Sequence, residues 1–285
     1  MNNLKVKFTD FWNGFDPEKD IVFGKFFMEA HNLELSADPD ILVYSVAGQE
    51  HKNPTYDNCI KICYSAENLK RYNVDPYKIL NKGHYLISME RVNHPNYLRL
   101  PNIVRANFYG YNYDLAEDFT IPPKTKFCSF IQRNCSAQYR NSFVKKLSKY
   151  KKVDCLGPCL NNAKSKILKR KGVNPNLESI APYKFNISFE NSSSIGYCTE
   201  KIWWGFLAKT ISIYWGDPTV DQDFHQGSFL NRHEYNSDED FIEAIIELDS
   251  NDNAYHEMLT KSKLKDKSLI DLEKVKIFFF NILES

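Results

Sequence analysis

The chain has 285 residues, 42% of them hydrophobic, enough to build the cores of two domains of ordinary size. Lys and Arg number 37 against 36 Asp and Glu, a net charge of +1, so no broad basic surface for nucleic acid is indicated. The opening, MNNLKVKFTDFW, enters a strand-like pattern without the basic segment and apolar run of a signal peptide, and no window holds the ~20 apolar residues that span a bilayer.

In chain order, residues 5–9, 41–46, 60–64 and 84–89 read as strands, each β-branched or aromatic and bounded by polar breakers. Residues 21–31 read as a helix. This alternation favours a mostly parallel sheet with helices on its faces. Residues 114–126 (DLAEDFTIPPKTK) read as a linker, because Pro122-Pro123 halts regular structure. The alternation then resumes with strands 127–132, 153–156, 184–189 and 210–215 and helices 139–150, 162–171 and 199–209. The last part is helical, including 237–248 and the amphipathic 270–284. Two Lys-rich runs, 145–152 and 164–171, read as solvated helix faces.

Seven cysteines, an odd number, are scattered through the chain. The pairs Cys59/Cys63 and Cys155/Cys159 are spaced by three residues, not the two of a zinc knuckle, and no His pair follows. They read as reduced thiols.

Residues 183–216, YKFNISFENSSSIGYCTEKIWWGFLAKTISIYWG, carry the chemistry. A strand leads through a polar Ser/Gly turn into a helix start and then a second strand. An α/β protein builds an anion site in this way at the C-terminal ends of its strands. Lys201 falls in the first turn of a helix that Thr199 is placed to cap, so its ammonium and the exposed amides can converge on one anion. Glu200 is a carboxylate at the same helix start. Arg140, in QYRNSF, offers a planar fork for phosphate oxygens. Glu67, in CYSAENL, stands just past strand 60–64, where cleft residues of α/β proteins gather.

The run 183–216 resembles, nearly position by position, the signature of the α1,3/4-fucosyltransferases that use GDP-fucose, the bacterial-type glycosyltransferase family 10. The resemblance implies an α/β fold of the GT-B kind, two Rossmann-like domains with a cleft between them. It implies an acceptor-side domain at 1–118, a GDP-fucose-binding domain at 119–265 and a C-terminal helix at 266–285 packing back on the first. In the family the Lys of T-E-K contacts the diphosphate, which maps to Lys201. Its Glu, here Glu200, accepts from ribose hydroxyls, and an Arg matching Arg140 contacts the phosphates. Asn191 and Tyr197 line the donor pocket, and Glu190 orients the turn. The Glu of a near Y-T-G-E-N sequence is the proposed base, which maps to Glu67. Glu67, Arg140 and Lys201 are thus the expected catalytic set. Arg140, Asn191, Tyr197, Glu200 and Lys201 are the expected donor-binding set. Ser65-Ala66 stands where the family has Thr-Gly, and residues 192–194 also depart from its commoner pattern. HYLISMERVNHPNYLRLP is similar to the closing part of the family's acceptor domain, and the loop at 11–16 with Trp12 is a candidate for acceptor contacts.

The activity so implied is inverting transfer of L-fucose from GDP-fucose to a GlcNAc hydroxyl, O3 first, of a lactosamine-type glycan, giving Lewis-type structures. No cofactor or metal is required, a divalent ion being at most stimulatory. The partners are GDP-fucose and a GlcNAc-containing oligosaccharide, without nucleic acid. The expected location is cytoplasmic, with at most peripheral contact with the inner face of the membrane. Other readings stay open: another GDP-sugar donor or acceptor, or a glycan-binding protein without catalysis. A metal-dependent transferase would use an Asp-x-Asp such as Asp38-Pro-Asp40, Asp221-Gln-Asp223 or Asp238-Glu-Asp240, none of which follows a clear central strand.

Overall fold

The β-branched and aromatic runs assemble into two parallel sheets in a computed structural model, which describes residues 4–108, 113–163 and 177–284. The chain divides into two compact units, residues 1–108 with 268–285, and residues 109–267.

The first unit holds β1 (Lys5–Thr9), β2 (Glu34–Leu35), β3 (Ile41–Tyr44), β4 (Ile60–Tyr64), β5 (Tyr85–Ser88) and β6 (Tyr97–Arg99). All are parallel, in the order β2-β1-β3-β4-β5-β6. A parallel sheet is covered on both faces, and all four residues of β3 are accordingly buried. The expected helix at 21–31 is a π-wound helix, Ile21–Glu29. Asp20 caps it, its carboxylate accepting the N–H groups of Val22 (3.0 Å) and Phe23 (3.3 Å). Its inner face supplies Phe23 and Phe27, which meet Phe279 of the terminal helix Glu273–Glu284 at ring distances of 6.2 and 4.3 Å. Arg105 ties Asp20 to the Tyr64 hydroxyl at the end of β4.

The second unit holds β7 (Lys126–Phe130), β8 (Val153–Cys155), β9 (Tyr183–Phe189), β10 (Ile211–Trp215) and β11 (Leu230–Asn231). These are parallel in the order β11-β10-β9-β7-β8. The core is aromatic and aliphatic: Phe130, Phe143, Phe185, Phe189, Ile213 and Phe241 are fully buried. From β7 the chain moves to β8 on one side and then to β9 on the other. Strand order therefore reverses between β7 and β9, and a crevice opens outside the C-terminal ends of those two strands.

Three features differ from the sequence reading. The linker at 114–126 is irregular only from 118. Its start belongs to a short helix, Tyr113–Glu117, that packs on helix Glu200–Leu207. Ala116 is buried there and the Glu117 carboxylate accepts the Lys263 N–H, so this segment falls with the second unit although the sequence places the division at 118. At the far end of the linker, Pro182 O accepts from Thr125 and Lys126 (2.9 and 3.0 Å), locking it to the start of β9. The two- and three-residue strands β2, β6 and β11 were not expected; strands this short show no alternation. Of the expected helix 162–171, residues 162 and 163 are non-helical and 164–171 lie outside the described residues, as does the second Lys-rich run. In the first run Lys146 pairs with Asp238 (2.9 Å) and Glu239 (3.0 Å), and Lys152 with Asp154 (2.6 Å). All seven cysteines are free thiols. Among the described residues no helix is long and apolar enough to cross a membrane.

Candidate active site

The loops after β7 and β9 meet at the point where strand order reverses. Helix Gln138–Leu147 follows β7 and turns Arg140 inward, fully buried. Arg140 Nη1 donates to Asn191 Oδ1 (2.8 Å) and Phe189 O (3.3 Å), both at the end of β9. Nη2 donates to Asn134 O (2.6 Å) in the loop after β7. Nε is buried without a partner among the described residues. Burial lowers the guanidinium from its ordinary range and the nearby Glu190 charge works against that. A guanidinium remains charged at this depth, yet among the described residues every hydrogen-bond acceptor around it is a neutral oxygen. The geometry joins Arg140 to Asn191, a contact that the sequence did not show, and buries the arginine completely.

The residue after β9, Glu190, is fully buried and organises the second half of the site. Its Oε2 accepts from Lys201 Nζ (2.7 Å) and Thr199 Oγ1 (2.8 Å), and Oε1 from the Thr199 N–H (2.7 Å). Burial pushes the Glu190 carboxyl up; the Lys201 ammonium opposes this. Burial works to lower Lys201, but the Glu190 and Glu200 charges outweigh it and hold the ammonium raised. Arg140 acts on Lys201 in the opposite sense, so two cations share this end of the sheet. Glu190 and Trp215 are bound through the backbone (2.7 Å). Gly216 makes room for the carboxylate: a Cβ there would sit 2.4 Å from Glu190 Cγ.

Thr199 occupies the N-cap position of helix Glu200–Leu207, but its hydroxyl makes no cap hydrogen bond. This corrects the expected capping role: Glu190 captures both the hydroxyl and the N–H of Thr199. Glu200 lies at the first helical position, half-buried. Tyr197 is buried. It follows Gly196, whose φ of 82° lets the chain turn, and its N–H bonds to Ser194 O (3.1 Å). Trp203 and Trp204 are both buried.

Asp217 escaped the sequence reading. It is fully buried, and its Oδ1 accepts from Gly196 N (2.9 Å), Thr219 N (2.8 Å) and Thr219 Oγ1 (2.7 Å). It thereby pins the turn at 196 to the end of β10. The signal for it was Gly-Asp directly after a strand, which is too common to single out.

Glu67 stands past β4 in the first unit. Ser65 Oγ accepts the Glu67 N–H (3.1 Å) and donates to Glu67 O (3.0 Å), a tight hydroxyl-closed turn. Its carboxylate is 49% exposed, 3.9 Å from Arg71. Trp12 is 44% exposed and meets Phe15 edge-on at 5.0 Å.

Comparison with known proteins adds to this geometry. Residues 121–275 match the model of the glycosyltransferase family 10 (fucosyltransferase) C-terminal region, and residues 6–106 match the alpha-(1,3)-fucosyltransferase FucT N-terminal domain. The chain is 31% identical over 217 residues to alpha-(1,3)-fucosyltransferase FucT of Helicobacter pylori, covering 74% of this chain and 42% of that protein. It thus spans less than half of that relative's length. A crystal structure of an alpha1,3-fucosyltransferase with GDP superposes with a TM-score of 0.78 at 24% identity, over 99% of this chain and 91% of that one. The same holds for one with GDP-fucose, at 0.76 and 23%. These likenesses show the fold, an α/β architecture of the GT-B kind with two parallel sheets. With one family model covering more than half of its length and a second the remainder of its sheets, the chain belongs to glycosyltransferase family 10, the fucosyltransferases.

Proposed function

We propose that this chain transfers L-fucose, with inversion, from GDP-fucose to the O3 hydroxyl of GlcNAc in a lactosamine-type glycan. The observation that carries the reading is the buried Arg140, held only by neutral oxygens, beside the Lys201–Glu190–Thr199 cluster where strand order reverses. Cleaving the sugar–diphosphate bond builds negative charge on the departing oxygen. Fixed cations meet that charge without reorganising, and each well-placed donor contributes about 10²–10³ in rate. Lys201, Arg140 and the uncapped amides at the start of helix Glu200–Leu207 are the groups for that work. Glu190 keeps Lys201 protonated and aimed. Glu200 binds the ribose hydroxyls, a carboxylate matching two O–H donors, and Asn191 and Tyr197 close the donor pocket. Glu67 takes the proton of the attacking hydroxyl, so the first unit serves the acceptor and the second the donor. No metal is needed, since the cations stand in for it.

The test is release of GDP from GDP-fucose with N-acetyllactosamine, with EDTA present, followed by linkage analysis of the product. A 3-linked fucose with inverted anomeric configuration is expected. Turnover of GDP-mannose but not GDP-fucose, or an absolute need for Mn²⁺, overturns the reading.

A further inference from the structure

A second glutamate, Glu90, follows the strand next to that of Glu67. Strands β4 and β5 pair in parallel with Tyr64 opposite Ile87, and the Ser65 N–H continues the ladder to Ile87 O (3.0 Å). Glu67 and Glu90 each lie three residues beyond that last pair, on neighbouring strands at the C-terminal edge of the sheet. The Glu90 backbone is held by the Tyr97 hydroxyl, which donates to Glu90 O. Its side chain reaches across to the Glu67 loop, where Oε1 accepts the Leu69 N–H (3.1 Å). Leu69 is buried, Asn68 caps the short helix that follows (Oδ1 to Lys70 N, 3.0 Å), and Asn102 Nδ2 contacts Ala66 O (3.4 Å). The 65–69 loop is therefore fixed on three sides, and Glu90 is one of its anchors.

Only one oxygen of Glu90 is used. Oε2 is buried from solvent and has no hydrogen-bond partner among the described residues. A buried carboxylate oxygen without a donor is rare in a folded chain, and each instance calls for an explanation. The fold uses Oε1 alone, which anchors the loop. A sugar hydroxyl is a donor that fits there, because a carboxylate oxygen accepts and a sugar O–H donates.

We infer that Glu90 is an acceptor-binding residue: Oε1 positions the loop of Glu67, and Oε2 accepts a hydrogen bond from a hydroxyl of the acceptor saccharide next to the one that Glu67 deprotonates. This rests on the reading of Glu67 as base. Glu90→Gln separates the two roles. The glutamine carbonyl can still accept from Leu69, while its NH₂ replaces the unpaired acceptor with a donor.

Saturation-transfer NMR of N-acetyllactosamine on the full chain, with steady-state kinetics alongside, tests it. Glu90→Gln is expected to melt with the parent protein and keep its KM for GDP-fucose. Its kcat/KM for acceptor should fall tenfold or more, as a hydrogen bond to a charged group would give. An acceptor lacking the contacted hydroxyl should lose as much on the parent and little further on Glu90→Gln. Glu90→Ala, which also frees Leu69 N, should lose more in kcat. A parent chain that binds no lactosamine overturns this inference and the acceptor reading together. One that binds it while Glu90→Gln stays within twofold of the parent for every deoxy acceptor overturns the inference alone.

Discussion

Replacing Lys201 by methionine tests how far the second unit's site is held by one buried ion pair. Glu190 is fully buried, the Lys201 side chain is 15% exposed, and they meet at 2.7 Å. Removing one member of such a pair strands the other and destabilises by about 3–5 kcal/mol. Thr199 still offers Glu190 its N–H (2.7 Å) and hydroxyl (2.8 Å), which puts Lys201→Met at the lower end, about 3 kcal/mol. For a unit of this size that lowers Tm by roughly 6–12 °C. Glu190→Gln strands the ammonium in turn, whereas the double variant removes both charges. The single effects should therefore exceed the double by about 2 kcal/mol or more. The pH dependence has a definite sign. Burial raises the Glu190 carboxyl above its ordinary value, and without Lys201 that rise grows. The folded form then holds a proton that the unfolded chain has released, so the Lys201→Met deficit shrinks as pH falls through the folded value. Urea unfolding of the four proteins from pH 5 to 8 measures both effects. Additive single changes within about 0.5 kcal/mol, or a deficit independent of pH, would refute the reasoning.

Gly216→Ala places a Cβ 2.4 Å from Glu190 Cγ and 2.7 Å from the Tyr214 hydroxyl. Overpacking of about 1–3 kcal/mol is expected, with weaker GDP binding by calorimetry because Lys201 loses its support; unchanged GDP affinity would detach Glu190 from the site. Arg140→Ala should lower kcat by about 10² or more, and a parent-like rate would remove Arg140 from the chemistry. Glu67→Gln should melt normally, bind GDP and lose about 10²-fold or more in transfer; full activity would place the base elsewhere. Lys124 donates to Ala181 O (2.7 Å), and burial, then Lys209, push its ammonium down to about 7. Between that value and the ordinary 10.5 the unfolded chain keeps a proton that the fold gives up, so stability rises with pH across that window. Lys124→Met should flatten the rise in thermal scans, and matching slopes would show that another group causes it.

How much of this could be read from residues alone depended on how local each signal is. Strands β1 and β4 appear where the β-branched and aromatic runs 5–9 and 60–64 place them: Val6, Ile62, Cys63 and Tyr64 are buried, while Lys5, Lys7 and Lys61 take the more open positions. The linker start was misread: DLAE looks like loop beside Pro122-Pro123, and only packing of Ala116 on helix Glu200–Leu207 makes it helical. Thr199 shows the limit at the site. Its position before Glu200 says N-cap, and that is where it lies, but a hydroxyl can answer only so many partners, and Glu190, nine residues earlier, takes it. The partnership of Arg140 with Asn191, 51 residues on, follows from β7 and β9 being neighbours, a fact of topology that no local pattern carries. The unused oxygen of Glu90 is visible only once hydrogen bonds are counted.

The central claim, that a diphosphate is held at the ends of β7 and β9, is tested most directly by calorimetric titration of the unaltered chain with GDP and with guanosine. GDP is expected to bind at least about 100-fold more tightly, two charge-assisted contacts being worth that much, with the difference shrinking as salt rises. Equal affinities for the two ligands would contradict the account.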